Sequence, residues 1–133
     1  MLVVVAGHIC LDIIPHLETV LPDQFAAWLQ PGHLIEIGPA AFATGGCVSN
    51  TGLALHTLGV PVRLIGKVGG DRFGQLVRDI IAGYAPALAD GLIVDAASST
   101  SYTLVLNPPH TDRTFLHNPG ANHTVGAADI DYD

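Results

Sequence analysis

Positive charge is scarce in this sequence: five Lys and Arg stand against twelve Asp and Glu among 133 residues, a formal net charge of −7. So acidic a chain lacks the basic footprint that nucleic-acid binding needs and is not drawn to anionic membrane surfaces. Neither nucleic acid nor membrane is expected as a partner. Cysteine is sparse too. Cys10 and Cys47 are too few for a disulfide framework, no C-x-x-C or His/Cys spacing suggests zinc, and both read as small buried residues. The apolar N-terminus, Met1–Ile14, is interrupted by Asp12 and too short to span a bilayer, and it lacks the basic n-region and cleavage site of a signal peptide. A buried first strand and a cytoplasmic location are expected. The histidines are scattered and receive no role.

Apolar side chains are plentiful: 49% of the residues are hydrophobic, in a length usual for one domain. Leu2–Val5, continuous and β-branched up to Gly7, has the look of a strand covered on both faces of a parallel sheet. Pro15–Pro31 carries Leu17, Val20, Leu21, Phe25, Trp28 and Leu29 at a spacing that permits a short amphipathic helix or a packed loop. Leu34–Ile37, between Gly32 and Gly38, reads as a short strand. Gly45 and Gly46 open a helix over Cys47–Leu58, with Gly59 at the C-terminal cap and Pro61 beyond. Val62–Val68 is the next strand. Asp71 is a suitable N-cap for a helix reaching Tyr84, in which Phe73, Leu76, Val77, Ile80, Ile81 and Tyr84 keep the helical period and face the core. Leu92–Asp95, Ser101–Leu106 and Arg113–His117 are strand candidates, the last two a hairpin about the turn Asn107–Asp112. The order predicts an α/β layer with a small β extension. The few strands, and the acidic tail Asp129–Asp133, make the chain read as an N-terminal part, since a short parallel sheet leaves its edges exposed.

Several phosphate-binding signatures are missing. Gly66-Lys67 is followed by Val68, without the upstream glycine of a P-loop, and the glycines from Gly66 to Gly74 have the wrong spacing for a dinucleotide fingerprint. No catalytic triad or nucleophile elbow is visible. Asn122-His123-Thr124 matches a glycosylation sequon by chance. Gly45-Gly46 before a helix is more suggestive. Without Cβ atoms the backbone can approach a ligand closely, beside free N–H groups and the amide of Asn50 one turn further. A tight turn with a surface Asn explains the same residues. Asp12, at the carboxyl end of the first strand, could accept hydrogen bonds from adjacent sugar hydroxyls, or could be an ordinary loop acid. Gly66–Gly74 reads as scaffold: turn glycines, the Asp71 cap, and close packing at Gly74.

Taken in order, Gly7–Asp12, Gly45–Asn50, Leu58–Val60, Gly66–Gly74, Thr100–Thr103 and Gly120–Asn122 resemble the ribokinase-like PfkB family of carbohydrate and nucleoside kinases. The resemblance spans nearly the whole chain except about Pro15–Pro31. It implies a doubly wound α/β fold with a small β-sheet lid, incomplete here: core elements near residues 1–14 and 39–91, and lid strands near 34–37 and 92–122. It implies that Asp12, Gly46 and Asn50 bind acceptor hydroxyls, that Gly45 shapes the pocket, and that Cys10 stands where many of these kinases carry Asn. Tyr102 is the candidate lid aromatic. Cys47 stands where ribokinases often carry Lys. Both cysteines depart from a ribose site.

The same resemblance implies ATP and Mg²⁺ as cofactors, a sugar or nucleoside as acceptor, and a homodimer through the lid. The family's catalytic Asp belongs to a late glycine-rich motif that Gly126–Asp129 only echoes. The catalytic base, the ATP site and the metal-associated acidic motif are therefore expected outside this chain, which should be inactive alone. The rival expectation is a non-catalytic sugar-binding or dimerisation module; a third is an unrelated α/β protein with similar glycine turns.

Overall fold

The computed structural model describes residues 1–17 and 25–130. Its strands are β1 (Val3–Ala6), β2 (Cys10–Pro15), β3 (Ala40–Gly45), β4 (Val62–Gly69), β5 (Leu92–Asp95), β6 (Tyr102–Leu106) and β7 (Thr114–Asn118). Its helices are α1 (Phe25–Trp28), α2 (Gly46–Thr57) and α3 (Arg72–Tyr84). Short 3₁₀ turns follow at Pro86–Leu88, Gly120–Thr124 and Ala127–Asp129.

Two sheets result. β1, β4 and β5 form a parallel sheet in the order β1-β4-β5, and β3-β2-β6-β7 form a second sheet that mixes parallel and antiparallel pairs. β4 is central, and its run from Leu64 to Gly69 is buried without alternation, as expected where both faces are covered. β1 differs from that expectation: Val4 is exposed, while Val5 packs against the core. The core joins Ile9 and Leu11, Val48 of α2, Leu64 and Val68 of β4, and Val77 and Ile81 of α3.

Local signals set both long helices. Gly46 adopts φ +84 at the entrance to α2, and Gly59, at φ +79, follows its end. Asp71 caps α3 by accepting from Gly74 N at 2.9 Å. Phe73, Leu76 and Ile80 pack on the core as their period predicts, but Tyr84, in the last turn, is exposed.

Three placements correct the sequence reading. Cys10–Pro15 does not continue the core elements expected over residues 1–14; it is a strand of the second sheet, because the chain turns at Gly7 (φ +140) and pairs with Ala40–Gly45 on one side and with β6 on the other. Leu34–Ile37 is not a strand. Its side chains are largely exposed, and the free edge of β2 is taken by β3, with Gly38 N already bonded to His16 O at 2.9 Å. Leu92–Asp95 belongs to the parallel sheet beside β4 rather than to the lid. Within Pro15–Pro31, the helix is the single turn of α1; Val20 and Leu21 lie outside the described residues.

Candidate acceptor site

The register of the second sheet aligns four residues in one transverse row: Ala43 of β3, Asp12 of β2, Thr103 of β6 and His117 of β7. Side chains in such a row share one face. Cys10, two residues before Asp12, faces the same way, and its Sγ donates to Asp12 Oδ1 at 3.4 Å. Burial, and then the neighbouring Asp12 charge, push the Cys10 thiol up to about 11. At neutral pH it is therefore a protonated donor, not a nucleophile. Thr103 Oγ1 lies 3.9 Å from Cys10 Sγ and 2.9 Å from His117 Nδ1.

Beyond that thiol, the half-buried Asp12 carboxylate has no hydrogen-bond partner among the described residues. A carboxylate offers about four acceptor positions, so most of its capacity is open to a ligand. Gly45 explains the space beside it. A β-carbon at Gly45 would overlap Asp12 Oδ2 and stand 2.8 Å from Oδ1. At Gly46 a β-carbon would lie 2.5 Å from His8 O, quite apart from the positive φ that favours glycine. The His8 carbonyl already accepts from Val48 N at 3.1 Å, which fixes the start of α2 against the β1–β2 turn. Asn122 holds that turn from the other side: Ile9 N donates to its Oδ1 at 3.2 Å and its Nδ2 donates to Ile9 O at 3.0 Å. The sequon amide is thus engaged inside the fold.

The remaining sequence candidates separate. Asn50 is exposed one turn into α2, without a hydrogen-bond partner among the described residues, and lines a cavity of about 340 Å³ with Phe42, Thr44, Ser49 and Tyr84. Tyr102 does not join Asp12. It pairs with Leu11 across the sheet, packs on the core and meets the Phe73 ring edge-on at 5.4 Å. Successive strand residues point to opposite faces, so Tyr102 and Thr103 cannot both look toward Asp12. The exposed aromatic on the His117 face of β7 is Phe115, with the Arg113 guanidinium 5.5 Å from its ring centroid. Thr103, His117 and Phe115 escaped the sequence reading, although strict alternation along β6 and β7 would have put them on one face.

The Gly66–Gly74 block is structural. Asp71 accepts from Thr100 N at 2.8 Å and from Thr100 Oγ1 at 2.6 Å, besides capping α3. Burial works to raise its carboxyl, but the bonds from Thr100 and Gly74 prevail and hold it below the usual carboxylate range. Lys67 is buried, donates to Thr124 O at 2.8 Å and pairs with Asp129 at 2.9 Å, tying β4 to the C-terminal turns.

These features, an α/β core bearing a four-stranded sheet with the largely open Asp12 carboxylate beside a Gly-Gly helix entrance, are those of the ribokinase-like fold. The pfkB family of carbohydrate kinases matches residues 2–131, and the chain belongs to that family. Fructokinase-2 of Oryza sativa subsp. japonica is 28% identical over 99% of this chain and 36% of its own length. A solved fructokinase of Halothermothrix orenii superposes with a TM-score of 0.65 at 25% identity, covering 92% of this chain and 39% of its own. A ribokinase of Arabidopsis thaliana, solved with ribose and ATP, gives a TM-score of 0.68 at 22% identity, covering 90% and 36%. The chain thus spans little more than a third of the relatives it matches.

ATP and Mg²⁺, which the family implies, are assigned to no residue here. The glycines of the Gly66–Gly74 block are occupied by packing, and among the described residues no three His, Cys, Asp or Glu side chains are grouped to hold a cation. No helix among them is long and apolar enough to cross a membrane.

Proposed function

We propose that this chain is the acceptor-binding part of a cytoplasmic ATP-dependent PfkB-type kinase that phosphorylates a hydroxyl of a sugar or sugar-like molecule. Asp12 accepts hydrogen bonds from the acceptor hydroxyls, Gly45 and Gly46 let the acceptor approach the backbone, Cys10 holds one Asp12 oxygen, and Asn50, exposed one turn into α2, offers a further amide. The catalytic base and the sites for ATP and Mg²⁺ belong to a part of the protein outside these residues. Phosphoryl transfer rests on positioning and electrostatic stabilisation around the phosphate, so these residues alone would bind and not transfer.

The observation that supports this reading is the Asp12 carboxylate, unsatisfied apart from one thiol, facing a glycine that no larger residue could replace without displacing it. Relatives named fructokinases make D-fructose the first acceptor to try. A coupled kinase assay on the full-length protein, over a panel of ketoses, aldoses and nucleosides, should give turnover with a sugar. Absence of turnover and of ligand protection across the panel would refute the kinase reading.

Dimerisation through the lid is part of the proposal. β3 and β7 are the outer strands of the second sheet and expose Phe42, Phe115 and Leu116, and unpaired edges with apolar side chains favour a partner strand. Sedimentation should show a dimer of the full-length protein; a monomer at micromolar concentration would exclude it.

A further inference from the structure

Thr103 Oγ1 has two polar neighbours, His117 Nδ1 at 2.9 Å and Cys10 Sγ at 3.9 Å, but a hydroxyl carries a single proton. It can donate to the imidazole, or it can donate to the sulfur and accept from the imidazole. The carboxylate at the end of the row decides between them. The Cys10 proton is directed at Asp12 Oδ1, which leaves sulfur lone pairs toward Thr103. If Thr103 donated to His117, oxygen lone pairs would face sulfur lone pairs at a buried contact, and the hydroxyl dipole would oppose the others. If it donates to sulfur, every dipole points toward the one negative charge and each bond polarises the next.

We propose that Thr103 and His117 are positioning residues of the acceptor site. They maintain a directed chain, His117 Nδ1–H to Thr103 Oγ1–H to Cys10 Sγ–H to Asp12 Oδ1, which anchors one carboxylate oxygen and leaves the other for hydroxyls of a neutral polyol. The positioning role rests on the acceptor-site reading above; the direction of the chain does not. The chain has a signature that packing alone would not produce. It requires the neutral His117 ring to carry its proton on Nδ1, the nitrogen facing Thr103.

Nitrogen NMR of the histidine-labelled full-length protein, at mildly alkaline pH, reads the tautomer directly, and calorimetry with D-fructose and D-ribose reads binding. His117 should be the Nδ1–H tautomer and should leave it in Thr103→Val, whose side chain keeps the β-branched shape. The same variant should weaken binding of the sugar about tenfold, the loss of one hydrogen bond's organisation, with its thermal midpoint little changed. Thr103→Ser should restore both tautomer and affinity. A Nε2–H tautomer in the unsubstituted protein overturns the chain. Unchanged affinity in Thr103→Val overturns the positioning role. If the tautomer is as stated but neither sugar binds, the chain stands, whereas the acceptor reading and the positioning role that depends on it fall.

Discussion

Gly45 lies against the carboxylate of Asp12 so closely that a β-carbon there would overlap Oδ2 and come within 2.8 Å of Oδ1. The backbone is not free to shift there, because Gly45 ends β3, is paired with Cys10 and leads straight into α2, so relief falls to the Asp12 side chain. Gly45→Ala should therefore turn the Asp12 side chain away from the acceptor position. Sugar affinity should fall by at least about tenfold, while stability changes by about 1–3 kcal/mol. Calorimetry paired with urea unfolding separates the two. An alanine variant that binds as well as the unsubstituted protein would show that the close approach has no part in recognition.

Asp71 gives stability a defined pH dependence. Its folded carboxyl is held below the unfolded value by Thr100 and Gly74, against the opposing effect of burial. A depressed carboxyl contributes stability that is present above the unfolded value of about 3.9 and is lost as pH falls through the folded value. Asn caps as well as Asp, but Asp71→Asn replaces the oxygen that accepts from Thr100 N with a donor, so it should lower stability at neutral pH by about 1–2 kcal/mol and should flatten the acid limb of the stability profile. Denaturant midpoints measured from neutral to acid pH test this; parallel profiles for the two proteins would contradict it.

Asn122 closes a buried backbone gap between the two sheets. In Asn122→Ala, the N–H and C=O of Ile9 would both lose their partner. A buried unsatisfied group costs about 1–3 kcal/mol, so a loss of about 2–4 kcal/mol is expected, and the β1–β2 turn beneath the acceptor site should loosen. Hydrogen exchange at Ile9 should accelerate well beyond the global change in stability. Exchange at Ile9 no faster than the global change in stability accounts for would contradict this role.

What was legible in the sequence is what local chemistry fixes. Asp71 as a cap, the glycines around α2, and the apolar period of α3 are set within a turn or two of themselves, and the structure keeps them. Asp12 reads as a ligand-binding candidate at the carboxyl end of the first strand, whereas the structure sets it in a strand of its own in the second sheet. Its strand exists only through pairing with β3 and with β6, which lies far along the chain. The same distance hid Thr103, which meets Cys10 93 residues away. Leu34–Ile37 shows the opposite error: apolar residues between glycines suggest a strand, but the β2 edge beside them is already taken by β3. Tyr102 was chosen for its aromatic ring, and the alternation of β6 turns that ring into the core.

The acceptor site is tested most directly by calorimetric titration of D-fructose, with D-ribose as comparison, into the full-length protein and its Asp12→Asn and Asn50→Ala variants. Asp12→Asn keeps the shape but replaces a charged acceptor with a neutral amide, and losing hydrogen bonds to a charged group costs about 1.5–3 kcal/mol. Binding should weaken by about tenfold or more in Asp12→Asn and measurably in Asn50→Ala, with thermal midpoints close to that of the unsubstituted protein. Equal affinity in all three proteins, or loss of affinity only together with loss of folding, would contradict a substrate-binding role for Asp12.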